Sequence, residues 1–288
     1  MKTARTLVLS SRPLSWVNTA FPFGLTYYLF VRELDALFVV GSLFFLIPYN
    51  VLMYGINDVF DYESDLRNPR KGGVEGALLP PELHRPMLLA STLLPVPFLI
   101  PLVLWGSVAS TSVLALALFF VVAYSAKHVR LKEIPFVDSV TSSLHFVMPA
   151  LYAMTLVGGE LTVLALTLVG SFFFWGMASH AFGAVQDVAA DREAGVASIA
   201  TVIGAKGTVR FAMGLYGIAG LLMALTPWPL PLVALVVILY LAALAPWWSV
   251  SDEDAVKANR SWRWFLGLNF LAGAVVVLVL FEWWQVSG

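Results

Sequence analysis

Apolar runs of about twenty residues recur along the whole chain, each long enough to cross ~30 Å of hydrocarbon as a helix. Inside a bilayer the backbone must satisfy its own polar groups, which leaves helices or a closed barrel. The ten-residue alternation of a membrane barrel is not visible here, so the sequence specifies an all-α integral membrane protein. Composition agrees: of 288 residues, 59% are hydrophobic and 12% charged, with a mean hydropathy of +0.83. The chain has no cysteine, which excludes disulfides, thiolate metal sites and a cysteine nucleophile. Lys2, Arg5 and Arg12 precede the first apolar stretch, but Pro13 and Pro22 flank it and no small-residue cleavage site follows, so it is expected to be a retained span.

Nine spans are predicted: 14–31, 36–56, 87–105, 107–125, 136–156, 161–185, 209–226, 229–250 and 262–284. The charges provide an independent check, because loops rich in Lys and Arg stay cytoplasmic. With nine spans, sixteen of the seventeen Lys and Arg fall on one side and only Arg32 on the other. This predicts a cytoplasmic N-terminus and an outside C-terminus. Acidic connections follow the second and sixth spans and basic ones follow the fourth and eighth, an offset that an internal duplication would leave, although identity between the halves is not evident. No Ser/Gly-rich linker divides the chain, so residues 1–288 read as a single domain.

The second span runs straight into NDVFDYESDLRNPRKGG. Asp58, Asp61 and Asp65 stand at i, i+3 and i+7, on one helical face with Tyr54 one turn deeper. The sixth span ends in HAFGAVQDVAADREAG, where Asp187 and Asp191 are an i, i+4 pair that shares its face with His180 and Gly183. Both clusters sit at predicted helix C-termini, where the macrodipole disfavours acids by some tenths of a kcal/mol each. Ordinary interfacial acids would explain one such cluster. Two matched clusters on same-side helix ends, the first preceded by Asn57, argue instead for a shared cation.

Hard carboxylate oxygens without His or Cys companions suit Mg²⁺, which binds through a few carboxylates plus substrate phosphate oxygens. Candidates for the phosphate side are Arg67, Arg70 and Lys71 beside the first cluster, Lys127, Arg130 and Lys132 after the fourth span, and Arg192 beside the second cluster. The positive-inside rule accounts for some of these. A diphosphate site that opens into hydrocarbon points to an isoprenoid, whose allylic cation must be kept from water and can be stabilised by aromatic faces. Tyr54 is the best-placed candidate for such a face. His180 is a catalytic candidate by its position, with a satisfied packing role as the plain alternative. Asn269 is better read as a helix–helix hydrogen bond.

These residues resemble a known pattern. NDVFDYESD fits the NDxxDxxxD motif, and DVAAD the DxxxD motif, of the UbiA superfamily of intramembrane prenyltransferases. The resemblance extends from SRPLSWVNTAFPF through YSAKHVRLKEIPFVD to GVASIATVIG, nearly the whole chain. It implies a nine-helix bundle around a central cavity. Asp58, Asp61, Asp65, Asp187 and Asp191 would hold two Mg²⁺ and a prenyl diphosphate, with Asn57 as the motif's asparagine. The family's YxxxK element is shifted here, with Tyr124 followed by Lys127, Arg130 and Lys132. YGINDVFDYESDLRNPRKGGVEGALL together with SHAFGAVQD most resembles the lycopene elongase branch. That implies dimethylallyl diphosphate as donor and lycopene as acceptor, at the cytoplasmic mouth of a cell-membrane enzyme; no nucleic acid is expected as a partner. A quinone precursor or another lipid acceptor is the alternative within the superfamily. A transporter with acidic gates is the alternative outside it, and it is disfavoured because transporter sites usually lie near the midplane.

Overall fold

A computed structural model describes residues 2–66 and 78–287. Their α-helices are α1 (Lys2–Ser10), α2 (Val17–Val31), α3 (Ala36–Leu46), α4 (Pro48–Phe60), α5 (Tyr62–Asp65), α6 (His84–Leu93), α7 (Val96–Leu104), α8 (Val108–Ser125), α9 (Val137–Leu156), α10 (Val163–Val185), α11 (Val188–Ala194), α12 (Ile199–Ala224), α13 (Ala234–Leu244) and α14 (Asn259–Ser287). Seven stretches among the described residues are long and apolar enough to cross a membrane: Ala36–Phe60, Pro81–Leu104, Val108–Ser125, Val163–Val185, Ile199–Ala224, Leu230–Trp247 and Ala255–Val286. Helices also occupy the two other predicted positions, for different reasons short of a span. α2 has only 15 residues. α9 carries Asp138, Ser139, Thr141, Ser142, Ser143 and His145 in its first half, which dilutes its hydropathy.

The chain forms two compact units, one of Met1–Leu131 with Leu144–Glu160, the other of Lys132–Ser143 with Leu161–Gly288. Aromatic rings centre the first. Phe45 packs against Phe44, Tyr49 and Phe23 with ring centroids 4.9, 5.1 and 5.2 Å apart, and Phe23, Phe44, Phe45 and Tyr49 are all fully buried. Gly41 is what lets α3 approach α2 here, since a Cβ at that position would overlap the Phe23 ring. The predicted second span is two helices, because Pro48 has no N–H to continue the ladder. Asn50 repairs the break: its Nδ2 donates to the carbonyls of Phe45 at 2.8 Å and Leu46 at 3.1 Å and to Thr19 Oγ1 at 2.7 Å.

The second unit is organised by the close pairing of α10 with α12 along small residues, Ala178 and Ala181 on one and Ala205, Ala212 and Ala219 on the other. Such residues let two backbones approach, and Ser171 Oγ reaches the Ala219 carbonyl at 2.9 Å. Tyr216 and Tyr240 stack at 5.0 Å, and the Tyr240 hydroxyl donates to Asn269 Oδ1 at 3.0 Å, the helix–helix bond expected for that asparagine. The connection expected between the sixth and seventh spans is largely helical. α11 occupies its first part, and α12 begins ten residues before the predicted span, because Ser198 and Thr201 form a reciprocal capping box.

Candidate active site

The first acid cluster is buried: Asp58, Asp61 and Asp65 are 1%, 5% and 8% exposed. Asp58 lies in the last turn of α4. Asp61 closes that helix with φ −101° and ψ 1°, and α5 follows, with Asp65 N–H donating to the Asp61 carbonyl at 2.8 Å. The second cluster has the same construction. Asp187 interrupts the path from α10 to α11 with φ −98° and ψ −8°, and Asp191 N–H donates to the Asp187 carbonyl at 2.8 Å. Asp187 and Asp191 are half-buried. Each motif is therefore a helix end with a break in the sparsely populated bridge region, not the continuous helical face that the spacing predicts.

Among the described residues of the first unit, two arginines reach these acids. Arg12 Nη2 lies 3.4 Å from Asp58 Oδ1 and 3.4 Å from Asn57 Oδ1, while its guanidinium stands over the Tyr54 ring, 4.3 Å from the centroid. Arg130 Nη2 lies 3.4 Å from Asp61 Oδ1, and its Nη1 lies 3.4 Å from the Phe60 carbonyl. Burial works against the Arg12 charge, yet Asp58, Tyr54 and Asp65 outweigh it and raise its pKa above the ordinary arginine value. Asn57 Nδ2 donates to Ser125 Oγ at 3.0 Å, tying the motif to the end of α8. Arg12 is absent from the predicted site residues, because from sequence it reads as one more positive-inside charge. Tyr54, predicted as a lining aromatic, presents its ring to Arg12.

In the second unit, His180 Nε2 lies 3.9 Å from Asp138 Oδ2. Asp138 is fully buried; it accepts from Ile199 N–H at 2.8 Å, the first N–H of α12, and from Ser139 N–H at 2.6 Å. The sequence reading did not single out Asp138, although an ionisable group inside a largely apolar helix is itself a signal. Arg192, predicted as a diphosphate ligand, is engaged elsewhere: its Nη1 donates to Asp252 Oδ2 at 2.5 Å and its Nε and Nη2 to the Thr201 carbonyl at 3.3 and 3.1 Å. Asp252 also accepts from Ala205 N–H at 2.6 Å, where α12 restarts after Gly204 turns to φ +71°. Lys127 is exposed and Lys132 half-buried. Arg67, Arg70 and Lys71 lie outside the described residues.

The donor set of the first cluster, carboxylate and amide oxygens without nitrogen or sulfur, is of the kind that Mg²⁺ takes. Among the described residues no group of three His, Asp or Glu side chains stands assembled to hold a metal ion. Asp58 accepts from Arg12 and Asp61 from Arg130.

Apolar helices that end in paired acid motifs, the first of them buried, define a class. The chain belongs to the UbiA prenyltransferase family, which it matches over residues 19–284. It is 51% identical over 280 residues to the lycopene elongase/hydratase of Corynebacterium glutamicum, covering 97% of this chain and 98% of that protein. It is 53% identical over 276 residues to the C(50) beta-cyclic carotenoids biosynthesis protein LbtBC of Dietzia sp., covering 96% of this chain and 64% of that one. Among solved structures, a UbiA homolog from Archaeoglobus fulgidus bound to GPP and Mg²⁺ superposes with a TM-score of 0.68 at 18% identity, over 95% of this chain and all of that one.

Proposed function

We propose that this protein transfers a dimethylallyl group from its diphosphate onto an end of lycopene, in the membrane, with divalent metal held by Asp58, Asp61, Asp65, Asp187 and Asp191. The observation that carries the substrate is the 51% identity to a lycopene elongase/hydratase across 97% of the chain. The motif residues and the Archaeoglobus homolog's bound Mg²⁺ support the metal.

Magnesium, two ions in this reading, would neutralise the diphosphate and favour its departure. The five aspartates would hold the ions and Asn57 would add a neutral oxygen, while cations on the same side of the membrane would stabilise the leaving group. The allylic C–O bond breaks and its electron pair leaves with diphosphate. The terminal double bond of the acceptor then forms a C–C bond to the cation, and the resulting tertiary cation loses a proton or takes up water with release of a proton. His180, oriented by Asp138, is a candidate for that proton. The active-site mouth is cytoplasmic, following the one-sided distribution of Lys and Arg.

Membranes carrying the protein, incubated with Mg²⁺, radiolabelled dimethylallyl diphosphate and lycopene, should move label into a carotenoid fraction. Label that enters a hydroxybenzoate-type acceptor and not lycopene would overturn the acceptor assignment.

A further inference from the structure

We infer that Arg12 and Arg130 are resident counter-ions of the first acid motif, neutralising Asp58 and Asp61 in the metal-free protein and displaced from them when a divalent cation binds. The inference rests on the reading of that motif as a metal site. It adds a competition between side chain and metal.

The Asp58 and Asp61 side chains are 0% and 6% exposed. Ionised carboxylates at that depth need cations, and the structure supplies a guanidinium to each. Permanent arginine–carboxylate pairs are commonly bidentate and short, about 2.7–2.9 Å. The Arg12 Nη2–Asp58 Oδ1 and Arg130 Nη2–Asp61 Oδ1 contacts are both 3.4 Å, longer than that range.

The backbone supplies the second observation. Among the described residues four non-glycines have positive φ, and Arg12 at 52° and Arg130 at 42° are two of them. An L-residue is strained in this region because its Cβ crowds the backbone, and such outliers concentrate where a structure stores strain for function. Both arginines lie in connections, Arg12 between α1 and α2 and Arg130 between α8 and α9, where a change of φ does not break a long helix. Arg12 is poised over one face of α4, touching Tyr54, Asn57 and Asp58 together. Leaving Asp58 would release strain and hand two motif oxygens to the metal.

The test is Mn²⁺ binding to purified protein in detergent without diphosphate, followed by the electron paramagnetic resonance signal of free Mn²⁺. Arg12→Gln and Arg130→Gln should each bind Mn²⁺ about fivefold tighter than wild type, the equivalent of roughly 1 kcal/mol. Each should also unfold at a lower temperature in EDTA and gain more from added Mn²⁺. Arg5→Gln removes the same charge from an exposed position and should change nothing; Asp58→Asn should weaken binding in every background. Unchanged or weaker Mn²⁺ affinity in the two arginine variants overturns the inference, as does equal tightening in Arg5→Gln. If one arginine variant fails to fold, the other decides alone. No Mn²⁺ binding by wild type would overturn the metal reading itself, a separate failure.

Discussion

Replacing Asp138 with alanine should destabilise the protein by about 3 kcal/mol. Its carboxylate is fully buried and accepts two backbone N–H groups, from Ser139 at 2.6 Å and Ile199 at 2.8 Å. Ile199 is the first residue of α12, so its N–H has no partner within the helix. Each buried donor stranded by the substitution costs about 1–3 kcal/mol, and loss of a negative charge at the start of α12 adds some tenths more. Relaxation and water entry recover part of this, which gives about 3 kcal/mol, a factor of roughly 150 in the unfolding equilibrium. Asp138→Asn keeps one acceptor oxygen and should lose about half as much. The assay is unfolding in mixed micelles with increasing dodecyl sulfate, followed by tryptophan fluorescence. A loss under about 0.5 kcal/mol for Asp138→Ala, the range of an ordinary surface substitution, would refute the anchoring role. His180 is 3.9 Å from the same carboxylate, so turnover by the folded fraction of Asp138→Asn should also fall.

Three further outcomes follow from the same geometry. Asp58→Ala and Asp187→Ala should each abolish prenyl transfer while the protein remains in the membrane fraction; full activity in both would remove the metal assignment. Gly204→Ala forces a side chain into φ +71° with its Cβ 3.2 Å from Asp252 Oδ1, and should lower the thermal midpoint by roughly 3 °C, read by a thermal-shift assay. The Asp252 carboxyl is held below its ordinary range mainly by the Ala205 N–H, against its burial and with help from Arg192. A depressed folded pKa contributes stability above the unfolded value of about 3.9 and loses it as pH falls through the lower folded value. Asp252→Asn should therefore be less stable than wild type at neutral pH, and the gap in thermal midpoints should close below about pH 4.

Hydrophobic period and length located the helices, because lipid leaves the backbone little choice. What this reading missed depends on contacts that no local pattern carries. Pro48 was visible, but that it divides a span, with Asn50 repairing the carbonyls, depends on Thr19 being within reach. The spacing of Asp58, Asp61 and Asp65 predicted one shared face, and all three are buried; the breaks at Asp61 and Asp187 were not legible, since helical periodicity assumes that the helix continues. Arg12 meets Asp58 across 46 positions of sequence, where no i, i+3 or i, i+4 rule applies. Asp138 carries no motif of its own. Its partner, the first N–H of α12, lies 61 residues away. Arg192 matched the expected chemistry of a diphosphate ligand, yet Thr201 and Asp252 engage its guanidinium.

The central claim is transfer of a C5 unit to lycopene. Expressing the protein in cells that accumulate lycopene and supply dimethylallyl diphosphate, then analysing the pigments by mass spectrometry, tests it most directly. Carotenoids longer than lycopene by one or two C5 units, with or without added water, are expected from the wild-type chain and should be missing with Asp58→Ala. Lycopene recovered unchanged, with the protein present in the membrane, would contradict the account.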